Sequence, residues 1–339
     1  MGLPEIRSFR PADAGEGELV ECYEVARAAH VADFPGRPFQ PYPAFADQMR
    51  RPEWLRGRQQ IWVARGDGKI EGLAIVALPK RENRRLTITT VTVPPSLRRQ
   101  GIGTALLGAT LPEARADGRI TVTGQGLKAG GAGASWARSL GFRQVQEFVL
   151  QALVIPDVDP GLWDVPAPAG FRAEGWTGSA PDQLIGAYAQ ARTAITDAPS
   201  DLSSLEFPEW TAKRVRQHEA DIRERGYESR VIVAVHESSG TIAGLTEILA
   251  SDSRPDHVYQ QDTAVLRQFR GHGLGRFMKA AMMRWLTADQ PGVTRVATNT
   301  DARNTHMIRV NHQVGYVTDY TVTDVEADLS MLETRLVLG

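Results

Sequence analysis

The stretch YQQDTAVLRQFRGHGLGRFMK, residues 259–279, changes its hydrophobic period halfway along. Thr263-Ala264-Val265-Leu266 is an extended apolar run. Phe277, Met278, Ala281, Met282 and Trp285 then recur at the three- and four-residue spacing of a helix. Between the two stands Arg270-Gly271-His272-Gly273-Leu274-Gly275-Arg276. A strand, a tight glycine turn and a helix start form a cradle for an anion. Glycine lets the backbone come close, and the first helical N–H groups are unpaired and carry the positive end of the helix dipole. Taken alone, the turn fits an unliganded strand-to-helix connection equally well.

About 170 residues upstream the pattern recurs. Thr89-Thr90-Val91-Thr92-Val93 leads to Arg98-Arg99-Gln100-Gly101-Ile102-Gly103-Thr104 and a helical continuation through Leu106 and Leu107. Repetition of a whole strand–turn–helix unit is stronger evidence than either copy alone. Arg-x-x-Gly-x-Gly after a strand resembles the acyl-CoA pyrophosphate loop of the GNAT N-acetyltransferase superfamily, and two copies resemble its tandem members. The resemblance implies an α/β (α+β) fold of two GNAT domains, each a mixed, mostly antiparallel sheet flanked by helices. It also implies acetyl-CoA as acyl donor.

The totals agree with two domains. The chain has 339 residues, 42% hydrophobic and 23% charged, as in globular proteins. Lys and Arg (39) nearly balance Asp and Glu (40), so no global field favours nucleic acid or a membrane surface. The single cysteine, Cys22, cannot form an internal disulfide and reads as a small buried hydrophobe. No run reaches the length of a membrane span, and no signal-peptide core opens the chain. A cytoplasmic monomer or homodimer is expected.

Order along the chain repeats as well. Hairpin signals stand at Ile61–Val76 around Asp67-Gly68 and at Val231–Leu245 around Ser238–Gly240. Each glycine loop is followed by a strand, a short helix and Gly141-Phe142 or Gly315-Tyr316, the first of these opening a strand pair that ends near Val154. Helical spacing also marks Leu19–Ala29 and a piece around Phe45–Leu55. The proline-rich segment Pro156–Pro168 reads as a linker, giving domains at 1–155 and 170–339 with 156–169 between them. The second copy has an insert, Thr196–Tyr227, with Phe207, Trp210 and a charged helix; it reads equally as an acceptor-site cover or as a solvated surface helix.

The resemblance sorts the copies by chemistry. It places Val265 and Leu266, or Val93, beside the cofactor arm, and Pro94 and Pro95 in the first copy have no N–H to give. Asp262, on the strand before the second loop, is a candidate base for the acceptor amine, or else an Asp paired with an arginine. Glu247 is the reserve. In the family pattern after the loop, Asn304 keeps the cofactor-touching asparagine. Asn311 replaces the usual tyrosine acid, leaving Tyr316, His306, His312 or solvent as proton donor. Asn299 adds a polar group on the fifth strand. The first copy has Gly130 and Ala137 at the two pattern positions. The expectation is a working second copy and a first copy that keeps its cradle without chemistry. The acceptor is expected to be a small-molecule amine; an acyl-CoA sensor and a protein-lysine acetyltransferase are the alternatives.

Overall fold

The computed structural model describes residues 2–51, 53, 54, 57–197 and 203–337. The elements run in order β1 (Glu5–Phe9), α1 (Glu16–Asp33), α2 (Tyr42–Arg50), β2 (Glu53–Trp54), β3 (Gly57–Gly66), β4 (Lys69–Pro79), β5 (Leu86–Thr92), α3 (Ile102–Ala116), β6 (Thr121–Lys128), α4 (Ala132–Ser139) and β7 (Arg143–Val154). The second series is β8 (Phe171–Thr177), α5 (Ile185–Arg192), α6 (Ala212–Glu224), β9 (Glu228–His236), β10 (Ile242–Ala250), β11 (His257–Val265), α7 (Leu274–Asp289), β12 (Arg295–Asp301), α8 (Thr305–Gln313), β13 (Val317–Asp328) and α9 (Leu329–Val337). Leu55, the expected end of the second helical piece, and 198–202 of the insert lie outside the described residues.

Two compact units result, and neither coincides with one half of the sequence. Unit 1 holds residues 1–147, 200–206 and 321–339; unit 2 holds 148–199 and 207–320. The reason is strand exchange. In unit 1 the order is β1-β3-β4-β5-β6-β13, so the last strand of the chain closes the first sheet. In unit 2 it is β7-β12-β11-β10-β9-β8, with β7 supplied by the first half. Where the sequence suggested a strand pair ending near Val154, there is one long strand, β7.

Both sheets are mixed. In unit 2 the pairs β8–β9, β9–β10, β10–β11 and β12–β7 are antiparallel and only β11–β12 is parallel. Unit 1 repeats this, with β5–β6 the parallel pair. Period-two alternation divides the residues of β9 between two layers. Val231, Val233 and Val235 pack under α5 with Tyr188 and Val215. Ile232 and Ala234 face α7 with Met278, Met282 and Leu286. In unit 1, α1 and α2 cover one face through Leu19, Cys22, Phe45 and Met49. On the other face α3, α4 and α9 pack through Leu107, Leu111, Ala137 and Leu332. Burial pushes the Cys22 thiol up to about 12, the state of an inert core residue.

The proline-rich segment is a packed part of unit 2. Trp163 is buried in its core, and its indole N–H donates to the Val314 carbonyl at 3.0 Å.

Candidate functional site

The glycine turn of unit 2 is built as its residues require. A short 3₁₀ turn (Arg267–Phe269) follows β11, and Gly271 (φ 86°) and Gly273 (φ 76°) take the left-handed conformation that only glycine adopts freely. Gly273 is the N-cap of α7, and a Cβ added at Gly271 or Gly273 would meet no heavy atom within 4 Å. The cradle is therefore open space bounded by helix-start N–H groups of Leu274, Gly275 and Arg276. Arg270 turns back, its Nε donating to the Val265 carbonyl at 3.1 Å, and so braces the turn. The His272 ring lies near Phe171, centroids 5.6 Å apart.

Beside the cradle a strand pair opens. Parallel pairing between β11 and β12 covers His257–Tyr259 against Arg295–Ala297 and stops there, although β11 continues to Val265. Backbone groups from Gln261 to Val265 on that edge have no ladder partner on β12, which is where a pantetheine-like amide chain could pair. Unit 1 opens at the equivalent place, after Ile88↔Thr123.

The register of β10 against β11 shifts between Thr246↔Thr263 and Ile248↔Gln260, so Gln261 and Asp262 together oppose Glu247. Such a bulge re-aims side chains. Here Glu247 and Asp262 both meet one buried guanidinium. Arg192, on the last turn of α5 and 1% exposed, donates to Glu247 Oε2 (3.1 Å), Asp262 Oδ2 (2.9 Å) and the Tyr188 hydroxyl (2.8 Å). It also lies 3.9 Å from the centroid of the Trp210 ring. Burial works to raise the Glu247 carboxyl. The Arg192 charge, with His218 adding to it, overrules burial and holds the group at about 2. Burial, then the Glu247 charge, pushes the Tyr188 phenol up. Asp262 keeps 38% of its side chain exposed, so one carboxylate of the pair looks outward.

Of the sequence candidates, the structure brings Asp262 and Glu247 together and sets Tyr316 elsewhere. Tyr316 is 2% exposed in the apolar layer under α7, on the sheet face opposite Arg192, and its hydroxyl has no hydrogen-bond partner. Asn304 caps α8, its Oδ1 accepting from the Met307 N–H at 3.1 Å. Asn311 is buried and donates to Gln151 Oε1 (2.7 Å) and Thr300 Oγ1 (3.1 Å), a structural amide network. Asn299 is exposed on β12. Arg192, Tyr188 and His218 were missed by sequence reasoning. A lone arginine at a helix end carries no signal until its two carboxylates are known to converge. Among the described residues no group of three or more His, Cys, Asp or Glu could hold a metal ion, and no helix is long and apolar enough to cross a membrane.

Two units of this fold, each with a glycine turn at a helix start beside an opened parallel strand pair, define a tandem acyltransferase. The model of the acetyltransferase (GNAT) family matches residues 20–142 and again 196–316, more than half the chain, and the protein belongs to that family. Among solved structures, a tandem GNAT protein from the clavulanic acid biosynthesis pathway, determined without acetyl-CoA, aligns at TM-score 0.76. It is 24% identical over 97% of this chain and 99% of that one. A GCN5-related N-acetyltransferase from Sphaerobacter thermophilus aligns at 0.73, with 20% identity over 96% and 95% of the two chains. No curated protein sequence matches. The family binds acyl-CoA, and the open cradle at Gly271 and Gly273 fits a pyrophosphate.

Proposed function

We propose that unit 2 transfers an acetyl group from acetyl-CoA to the primary amine of a small molecule. One observation carries this reading: an unobstructed phosphate cradle and an opened strand share β11 with an outward-facing carboxylate, Asp262. In this reading the N–H groups of Gly273–Arg276 hold the pyrophosphate. Val265 and Leu266 line the pantetheine arm, with Asn299 and Asn304 on the adjoining β12–α8 segment. Asp262 attracts the acceptor's ammonium. Arg192 is a positioning residue: it neutralises Glu247 and holds the Asp262 carboxylate through Oδ2. The acyl carbonyl carbon forms a C–N bond to the amine as its C–S bond breaks, and the thiolate takes a proton. Unit 1 has neither carboxylate, since Ile75 and Thr90 pair at the equivalent positions.

The experiment is a mass-spectrometric screen of amine metabolites with acetyl-CoA and the full chain. The expected result is a product about 42 mass units heavier, the net gain of C2H2O when acetyl replaces hydrogen, that vanishes in Gly273→Val. Acetyl-CoA binding without any product points instead to a sensor, and acetylated lysine on protein substrates to a protein acetyltransferase.

A further inference from the structure

We propose that His218 accepts the proton from the acceptor's ammonium, with Glu247 positioning its ring; this rests on the acyl-transfer reading of the same site. His218 comes from α6, in the insert of the second copy. Its Nε2 stands 3.8 Å from Glu247 Oε2 while 31% of its side chain remains exposed. Trp210 meets the ring edge-on at 5.4 Å and the same indole covers Arg192. The imidazole is therefore confined on two sides and open on a third.

Both carboxylates give an oxygen to Arg192, and for buried Glu247 that neighbouring charge lowers its basicity. Glu247, at about 2, would remain ionised throughout the working range. A base tuned near neutrality transfers protons most effectively, and imidazole is the side chain whose ordinary range lies there. An ionised, buried Glu247 beside Nε2 favours the tautomer with its proton on Nε2, leaving the Nδ1 lone pair for the acceptor. The distance to Glu247 exceeds hydrogen-bond length, so contraction on substrate binding or one water completes the pair.

His218 faces Glu247 from β10, and Glu247 is in turn linked through Arg192 of α5 to Asp262 of β11. On α6 itself Arg214 and Asp221 stand about one turn away. Glu219 is occupied by Arg216 and the Ala180 N–H. Within that cluster one guanidinium, Arg192, is shared by two carboxylates. In the step, the ammonium gives one proton to Nδ1 and the free amine attacks the thioester. The C–N bond forms as the C–S bond breaks, and the second surplus proton on the nitrogen passes to the departing thiolate, leaving a neutral amide and a free CoA thiol.

The test uses the full chain with acetyl-CoA and a panel of aliphatic diamines, aryl amines and amino sugars, following thiol release against pH. The wild type is expected to lose kcat/KM below a single ionisation near neutrality. His218→Gln should lower it about 10²-fold or more at neutral pH and recover part of the loss at alkaline pH, where the amine loses its proton to solvent. Glu247→Gln should move the His218 NMR titration midpoint and the acid limb to lower pH together. A His218→Gln profile like wild type overturns the assignment and leaves acyl transfer standing. A His218 midpoint unmoved in Glu247→Gln removes Glu247 from the pair and overturns the proposal as stated. Inactivity of the wild type on every amine, with acetyl-CoA bound, overturns both readings.

Discussion

The two glycine turns share a backbone and differ in almost everything around it. In each, the first arginine donates from Nε to the carbonyl five residues back, Arg98 to Val93 and Arg270 to Val265, both at 3.1 Å. Each has a 3₁₀ turn before it and a left-handed glycine, Gly101 or Gly273, as helix N-cap. The surroundings then diverge. A Cβ at Gly101 would lie 3.0 Å from Leu3 Cδ2, whereas Gly273 faces open space. Trp136 stands where unit 2 has Val310; its indole packs 3.7 Å from the Cβ position of Gly103 and donates to Thr104 Oγ1 at 3.2 Å. Arg98 is also engaged by Asp33 in a two-pronged ion pair, 2.9 and 2.7 Å. A turn of this sequence is self-sufficient as structure, and its use as a ligand site depends on what the next layer leaves empty.

The largest expected effect separates the units at their polar centres. Arg192→Met should cost about 3–5 kcal/mol of stability, because it strands Glu247 as a buried unpaired charge. Pairing it with Glu247→Leu, which makes the site resemble Ile75 of unit 1, should restore much of that loss. Denaturant midpoints of the single and double variants check this; equal losses would show that the pair is not coupled.

Next in size is Lys279, which occupies the position of Leu107 in unit 1. Burial drives its amine down to about 7. Its folded value lies below the unfolded one, so the unfolded chain binds more protons between about pH 7 and the ordinary lysine range. Stability therefore rises with pH across that window, and the full burden applies below it. Lys279→Leu should raise stability by roughly 3 kcal/mol at pH 6 and flatten the pH dependence above 7, as read from Tm at several pH values.

The cradles themselves are compared by calorimetry. Gly273→Val should weaken acetyl-CoA binding about 10²-fold, since it places a branched side chain where the anion sits and strains a left-handed position. Gly101→Val is expected to leave that affinity unchanged. A stoichiometry of two in wild type, falling to one in either variant, would instead give unit 1 a working cradle.

The smallest effect is at Arg99, which holds φ 66° where unit 2 has Gly271. Arg99→Gly should relieve local strain and stabilise by no more than about 1 kcal/mol, measured in the same denaturant series.

Much of this architecture was readable because it is local. The hairpins, the glycine turns and the α7 stripe of Phe277, Met278 and Met282 follow from period and turn chemistry within a dozen residues or so. The exchange of β7 and β13 was not readable, since Val322, Val325 and Ala327 bury toward either neighbour with the same pattern. The proline-rich segment misled for a related reason: composition marked it as a spacer, while one residue, Trp163, fixes it in a core. At the site, Asp262 and Glu247 were visible as lone acids. Their convergence on Arg192 depends on a one-residue bulge, which nothing in the strand sequences announces. Tyr316 was chosen for its chemistry, and its place in the apolar layer decides otherwise.

The exchanged strands also set a clock. Unit 1 is first off the ribosome through β6, yet its sheet lacks an edge until β13 has been made, about 200 residues later. At roughly 5–20 residues per second that interval is about 10–40 s, during which β6 is an exposed edge. Unit 2 meets no such delay, because β7 precedes everything it joins. The half synthesised first is thus the half completed last, and a chaperone or a slow stretch of translation would act on the wait between them.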